Sequence, residues 1–180
     1  MERNPWTLIT LAALGLAAIV LALAPSAWPN PLVRDGAVVE ARVVPTLRTA
    51  AQAVDAACRR GDAVAFAALT SESYRAQLER RLEAFDVRLD GQTLRRAVID
   101  GGYADWLRRD RVLLATVADA SRIAVAVDRG VDERGEPDGA QMLAFAWDGE
   151  QFVLDEVRHA PRVVDADVAT RYLTEWLRLR

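Results

Sequence analysis

An Asp-Gly pair at 148–149 separates two runs with strand character, Gln141 to Trp147 and Glu150 to Arg158. Such a pair favours a two-residue turn whose central residues both need positive φ, so the spacing predicts a β-hairpin of fixed register. In that register Trp147 faces Glu150, Phe145 faces Phe152 and Leu143 faces Leu154 on one side of the sheet. Ala144 faces Val153 and Ala146 faces Gln151 on the other. One face is bulky and one is small, and Asp155 falls on the small face with Val153 and Val157.

A second hairpin precedes it. Val112 to Ala118 and Ile123 to Arg129 flank Asp119-Ala120-Ser121. The simplest register gives Val112, Leu114, Ile123, Val125 and Val127 one face and Leu113, Ala115, Val117, Ala124 and Ala126 the other. Both faces are mostly apolar, so both should be covered. Between the hairpins, Gly130 to Gly139 carries three glycines, Pro137 and five charged residues. That composition predicts a solvated loop.

The remaining chain reads as helices. Leu47, Ala50 or Ala51, Val54 and Cys58 recur at helical spacing, with Pro45 opening or kinking the helix and Gly61 ending it. Asp62 is placed to cap a short helix through Leu69, and Ser71 to cap a third with Tyr74, Leu78, Leu82 and Phe85 on its apolar stripe. Thr93 to Arg109 reads as helical, interrupted at Gly101-Gly102, with Tyr103 and Trp106 one turn apart. After Pro161, Asp165 or Asp167 caps a final helix whose stripe is Ala169, Tyr172 or Leu173, and Trp176. Helices followed by a four-strand antiparallel meander and one more helix predict an α+β fold, with helices on one face of a curved sheet.

Trp6 to Ala24 is uncharged over nineteen residues, about 28 Å as a helix at ~1.5 Å per residue, which matches the hydrocarbon thickness of a bilayer. Residues 1–24 are therefore expected as an uncleaved membrane anchor, with Trp6 and Trp28 near its ends. A cleaved signal is the rival reading, with Pro25 just after the cut counting against it. Residues 25–36 are expected as a proline-rich spacer and 37–180 as the folded domain. The expected location is the bacterial inner membrane, single-pass, with the domain on the extracytoplasmic side.

Composition narrows the chemistry. A net charge of −3 argues against a nucleic-acid binder. All 23 basic residues are Arg, a pattern that codon bias explains better than function. Cys58 is the single cysteine, which excludes an intramolecular disulfide and a thiolate metal cluster, and its place in a helix reads as a small buried residue. No phosphate loop, zinc spacing or nucleophile elbow occurs, so no cofactor or metal is expected. Asp132, Glu133, Glu136 and Asp138 lack the spacing of a calcium loop.

Gly61-Asp62 to Leu78 (GDAVAFAALTSESYRAQL), after an alanine-rich helix and before a Trp-Asp-Gly hairpin ending Phe152-Val153-Leu154-Asp155, resembles the NTF2-like superfamily. The resemblance implies a cone in which a curved sheet and helices enclose a pocket, serving enzymes, small-molecule binders or membrane-anchored assembly proteins. Its enzymes place an Asp base with His or Tyr partners in the pocket. Here Asp155 is the candidate base, and Tyr103 and Trp106 are candidate pocket residues. His159 is the single histidine and reads as exposed or packed. Tyr172 and Trp176 are the candidate protein contacts. The expected function is a membrane-anchored interaction or assembly module with a protein partner or a second copy of itself. The alternative is a small-molecule-binding or acid-base pocket enzyme of isomerase or lyase type.

Overall fold

A computed structural model describes residues 30–34, 37–97 and 102–179. Val33–Arg34 (β1) pairs with Ala37–Val38 (β2) as a short ribbon. Helices follow at Glu40–Arg60 (α1), Ala63–Ala68 (α2), Glu72–Glu83 (α3) and Gly91–Ala97 (α4), then a 3-10 turn at Tyr103–Leu107. Strands Leu113–Ala118 (β3), Arg122–Asp128 (β4), Ala140–Trp147 (β5) and Phe152–Ala160 (β6) form an antiparallel sheet in chain order. The chain closes with helix Ala166–Arg178 (α5).

Local chemistry sets these boundaries. Gly61 ends α1 at φ 67°, in the left-handed region that glycine enters without a Cβ penalty. Asp62, Ser71 and Asp165 each accept a backbone N–H three residues on, capping α2, α3 and α5. Pro45 sits inside α1, one turn in. The stripe on α3 is shorter than its spacing suggests: the helix ends at Glu83, Asp86 turns to φ 55°, and Phe85 is 79% exposed.

The sheet has two covered faces, as its apolar pattern predicts. Ile123, Val125, Val127, Leu143, Phe145, Phe152 and Leu154 pack against α1 and the helices that follow it. The small face, built from Ala115, Ala124, Ala126, Ala140, Met142 and Ala144, receives Ala169, Leu173, Trp176 and Leu177 of α5. Small side chains let a helix approach closely, and each large side chain buried there stabilises by about 1.5–3 kcal/mol. The one-sided cone is thus corrected to a sheet between two helical layers.

The register of the second hairpin also differs. Trp147 pairs with Phe152 and Phe145 with Leu154, so four residues form the turn. Asp148 explains the longer loop: its Oδ1 accepts from the N–H groups of Glu150 and Gln151, at 2.9 and 2.8 Å. Only Gly149 takes positive φ, 107°. A shift of two residues preserves the faces, and the bulky residues stay together. A bulge then makes Asp155 the extra residue, since Leu154 pairs with Phe145 while Glu156 pairs with Ala144. Parity flips beyond it: Val157 joins the bulky face and Glu156 the small one. A similar irregularity at Leu114 in β3 exchanges the expected faces of Leu113 and Leu114.

Two expectations for the N-terminal region are corrected. Among the described residues no helix is long and apolar enough to cross a membrane, so the α+β fold is stated without a membrane-spanning helix, and the single-pass inner-membrane placement is withdrawn. The Trp6–Ala24 stretch itself lies outside the described residues. Within the stretch expected as a spacer, Leu32 is fully buried, and Asn30 donates to the carbonyls of Asp119 and Arg122 at 3.5 and 3.4 Å.

Candidate functional site

A groove of about 370 Å³ lies between α1 and the β5–β6 turn. Thr46, Thr49, Ala50 and Ala53 recur along one side of α1 at three- and four-residue steps, and their small size leaves the space. Trp147 and Phe152 form the opposite wall, with ring centroids 5.0 Å apart and planes at 54°. Leu69 closes one end. It is held there because residues 69–71 run beside β6: Leu154 N–H donates to the Leu69 carbonyl and Ser71 N–H to the Leu154 carbonyl, at 3.0 and 2.9 Å. Gln151 ties the turn to α2 through the Ala68 carbonyl, 3.3 Å away.

The walls are mostly apolar, and among the described residues Glu150 is their one ionisable side chain. The indole Nε1 of Trp147 is buried without a hydrogen-bond partner among the described residues. A buried donor left without an acceptor costs about 1–3 kcal/mol. An open apolar groove can exclude water from a bound group. It holds no pair of converging acid and base groups.

The candidate residues from the sequence do not converge on this groove. Asp155 is buried at the bulge, where its carbonyl accepts from Ser71 Oγ at 3.4 Å, and it is not a wall residue. Tyr103 packs into the helical layer, its hydroxyl 2.9 Å from that of Tyr74. Burial pushes both phenols above their ordinary value. Trp106 lies at the far end of the 3-10 turn, with the guanidinium groups of Arg111 and Arg129 4.9 and 5.1 Å from its ring centroid. Tyr172 and Trp176 sit on α5, on the other side of the sheet. Trp176 is 6% exposed and faces inward, while Tyr172 is 39% exposed.

Two carboxylates that the sequence reading passed over are buried and bonded. Asp55 accepts from the N–H groups of Tyr103 and Ala104, at 2.7 and 3.0 Å, and so fastens the 3-10 turn to α1. Burial raises its pKa above 3.8, against those two bonds and the charge of Arg59. Glu156 accepts from Trp176 Nε1 at 3.0 Å and from Arg158 Nε at 2.5 Å. Neither lines the groove. His159 reaches the Asp138 carbonyl at 2.8 Å and is exposed. The acidic loop is organised by Asp132, whose Oδ1 accepts from the N–H groups of Arg134 and Glu136. Among the described residues no group of His, Cys, Asp and Glu could hold a metal ion.

The motif that carries the family resemblance is structural in its polar positions. Asp62 and Ser71 are caps, and Arg75 reaches back to the carbonyls of Ala67 and Thr70. No family model, no curated protein and no solved structure matches the chain.

Proposed function

We propose that this chain is a non-catalytic protein-interaction module whose groove receives an apolar segment of a partner chain. The observation that carries this reading is the groove itself: about 370 Å³, apolar on its helical and aromatic walls, with one ionisable residue at its rim. Apolar walls with a small number of polar groups suit binding. Acid-base chemistry needs at least two positioned proton-transfer groups or one with a polarising partner. The buried carboxylates Asp55 and Glu156 serve as hydrogen-bond acceptors for the fold, which removes support from an isomerase- or lyase-like reading. Membership of the NTF2-like superfamily remains part of this proposal; the capped Gly61–Leu78 run supports it, and α5 on the opposite face of the sheet departs from it.

The test is a photoreactive benzoylphenylalanine placed at Thr49, an exposed residue on the groove wall, in the cell that makes the protein. One discrete protein adduct is expected, lost when Ala53→Trp fills the groove and absent when the probe sits at Glu133. The same adducts from Thr49 and Glu133, or adducts indifferent to Ala53→Trp, would contradict the proposal.

A further inference from the structure

A second opening, of about 110 Å³, shares no wall residue with the groove and lies where α1, the 3-10 turn and the start of β3 meet. Val44, Leu107, Leu113 and Val127 supply its apolar surface, and Trp106 with Arg108, Arg109 and Arg111 supplies the rest of its wall. An opening of that size suits a small ion.

Its charge is unusual for a chain whose net charge is −3. Of the wall arginines Arg108 is paired with Asp110 at 2.5 Å, and the neighbouring Arg129 is paired with Asp138 at 2.7 Å. Arg109 and Arg111 have no hydrogen-bonded carboxylate among the described residues, and both are exposed at the pocket. Arg111 is held by the face of Trp106, 4.9 Å from its centroid, and Asp110 adds a longer-range attraction. Arg129 lies over the same ring at 5.1 Å, so one indole gathers two like charges. Behind the wall, Arg48 donates from Nε to the Leu107 carbonyl at 2.5 Å, and its Nη2 is buried with no partner among the described residues. Two of the three arginines that line the pocket, Arg109 and Arg111, thus carry no hydrogen-bonded carboxylate among the described residues, and Arg48 adds a third guanidinium behind the Leu107 wall. Guanidinium forks match the paired oxygens of a tetrahedral oxyanion.

We infer that the Trp106 pocket is a binding site for a phosphate-type oxyanion, with Arg109 and Arg111 as direct ligands. Arg48 supports it from behind by fixing the Leu107 carbonyl and adding positive potential. The ring of Trp106 holds Arg111 in place, so its loss should weaken binding without removing a charge.

The experiment is calorimetric titration of the full chain with inorganic phosphate at low ionic strength, repeated for Arg109→Ala combined with Arg111→Ala, for Trp106→Leu, and for Arg134→Ala. Arg134 is an exposed arginine in the 130–139 loop and serves as the charge control. Saturable one-to-one binding is expected, weakened at least tenfold by the double variant and several-fold by Trp106→Leu, and unchanged by Arg134→Ala. Melting curves establish that each variant is folded. Absence of saturable binding in the wild type would overturn the inference. Equal weakening by Arg134→Ala and the double variant would overturn it too, by reducing the effect to net charge. A parallel titration with phenyl phosphate separates free phosphate from a phosphate ester: comparable affinity assigns the pocket to the phosphate group itself, and binding of neither probe counts against the site.

Discussion

Beneath α5 the indole Nε1 of Trp176 donates to Glu156 Oε2 at 3.0 Å, while Arg158 grips the other carboxylate oxygen and lies 5.4 Å from the Trp176 ring centroid. The residue that looks like an exposed contact on an amphipathic helix is therefore a fastener between that helix and the sheet. Trp176→Phe should leave a 1%-exposed carboxylate short of a donor and lower stability by about 1–3 kcal/mol. Urea denaturation checks it, and an unchanged midpoint would show that the bond contributes nothing.

Gly149→Val should destabilise by about 1–3 kcal/mol, because φ of 107° resists a β-branched side chain. Asp148→Ala should lose less, about 1 kcal/mol, through the two backbone N–H groups its carboxylate satisfies. Thermal melts of both variants measure the order; the reverse order would place the turn's control in the aspartate.

These two residues also mark where the sequence was legible. The caps at Asp62, Ser71 and Asp165 were readable because capping is a local hydrogen bond. The bulky and small faces were readable because a shift of two residues leaves side-chain parity intact. The bulge at Asp155 was not, since one extra residue depends on tertiary pairing, and it moved the buried carboxylate of the small face to Glu156. The groove was equally hidden: Thr46, Thr49, Ala50 and Ala53 signal it only by what they lack, and the bulk opposite them comes from residues about a hundred positions away. The basic pocket at Trp106 left a visible trace in the run from Arg108 to Arg111, which charge patterning alone does not distinguish from a solvated surface.

Asp55 gives a pH dependence of known sign. Burial raises its pKa above 3.8, so the folded state holds its proton more tightly than the unfolded chain does. Its contribution to stability is largest below 3.8 and declines as pH rises through the raised value. Asp55→Asn should flatten that part of the stability curve, and stability measured by denaturation across acidic pH would show it. An unchanged slope would assign the dependence to other groups. Gly102→Ala tests the same contact sterically, since a Cβ there would lie 2.2 Å from the Asp55 carboxylate.

Cys58 is fully buried, and burial, with a further push from Asp55, raises its thiol from 9.0 to about 11. Labelling by a thiol reagent at pH 8 should therefore proceed only as fast as the chain opens. Above pH 9 the unfolded thiol ionises before the folded one, so stability should fall between 9.0 and about 11, and Cys58→Ala should remove that fall. Rapid labelling in the absence of denaturant would contradict the buried placement.

The space between Thr46–Ala53 and the Trp147–Phe152 pair is proposed to be an apolar binding groove. Fluorescence titration with Nile red, a neutral apolar probe, tests it most directly, comparing the wild type with Ala53→Trp at matched melting temperature. Saturable one-to-one binding with blue-shifted emission is expected in the wild type, and its loss when tryptophan fills the groove. Equal binding by the two proteins, or no binding by either, would contradict it.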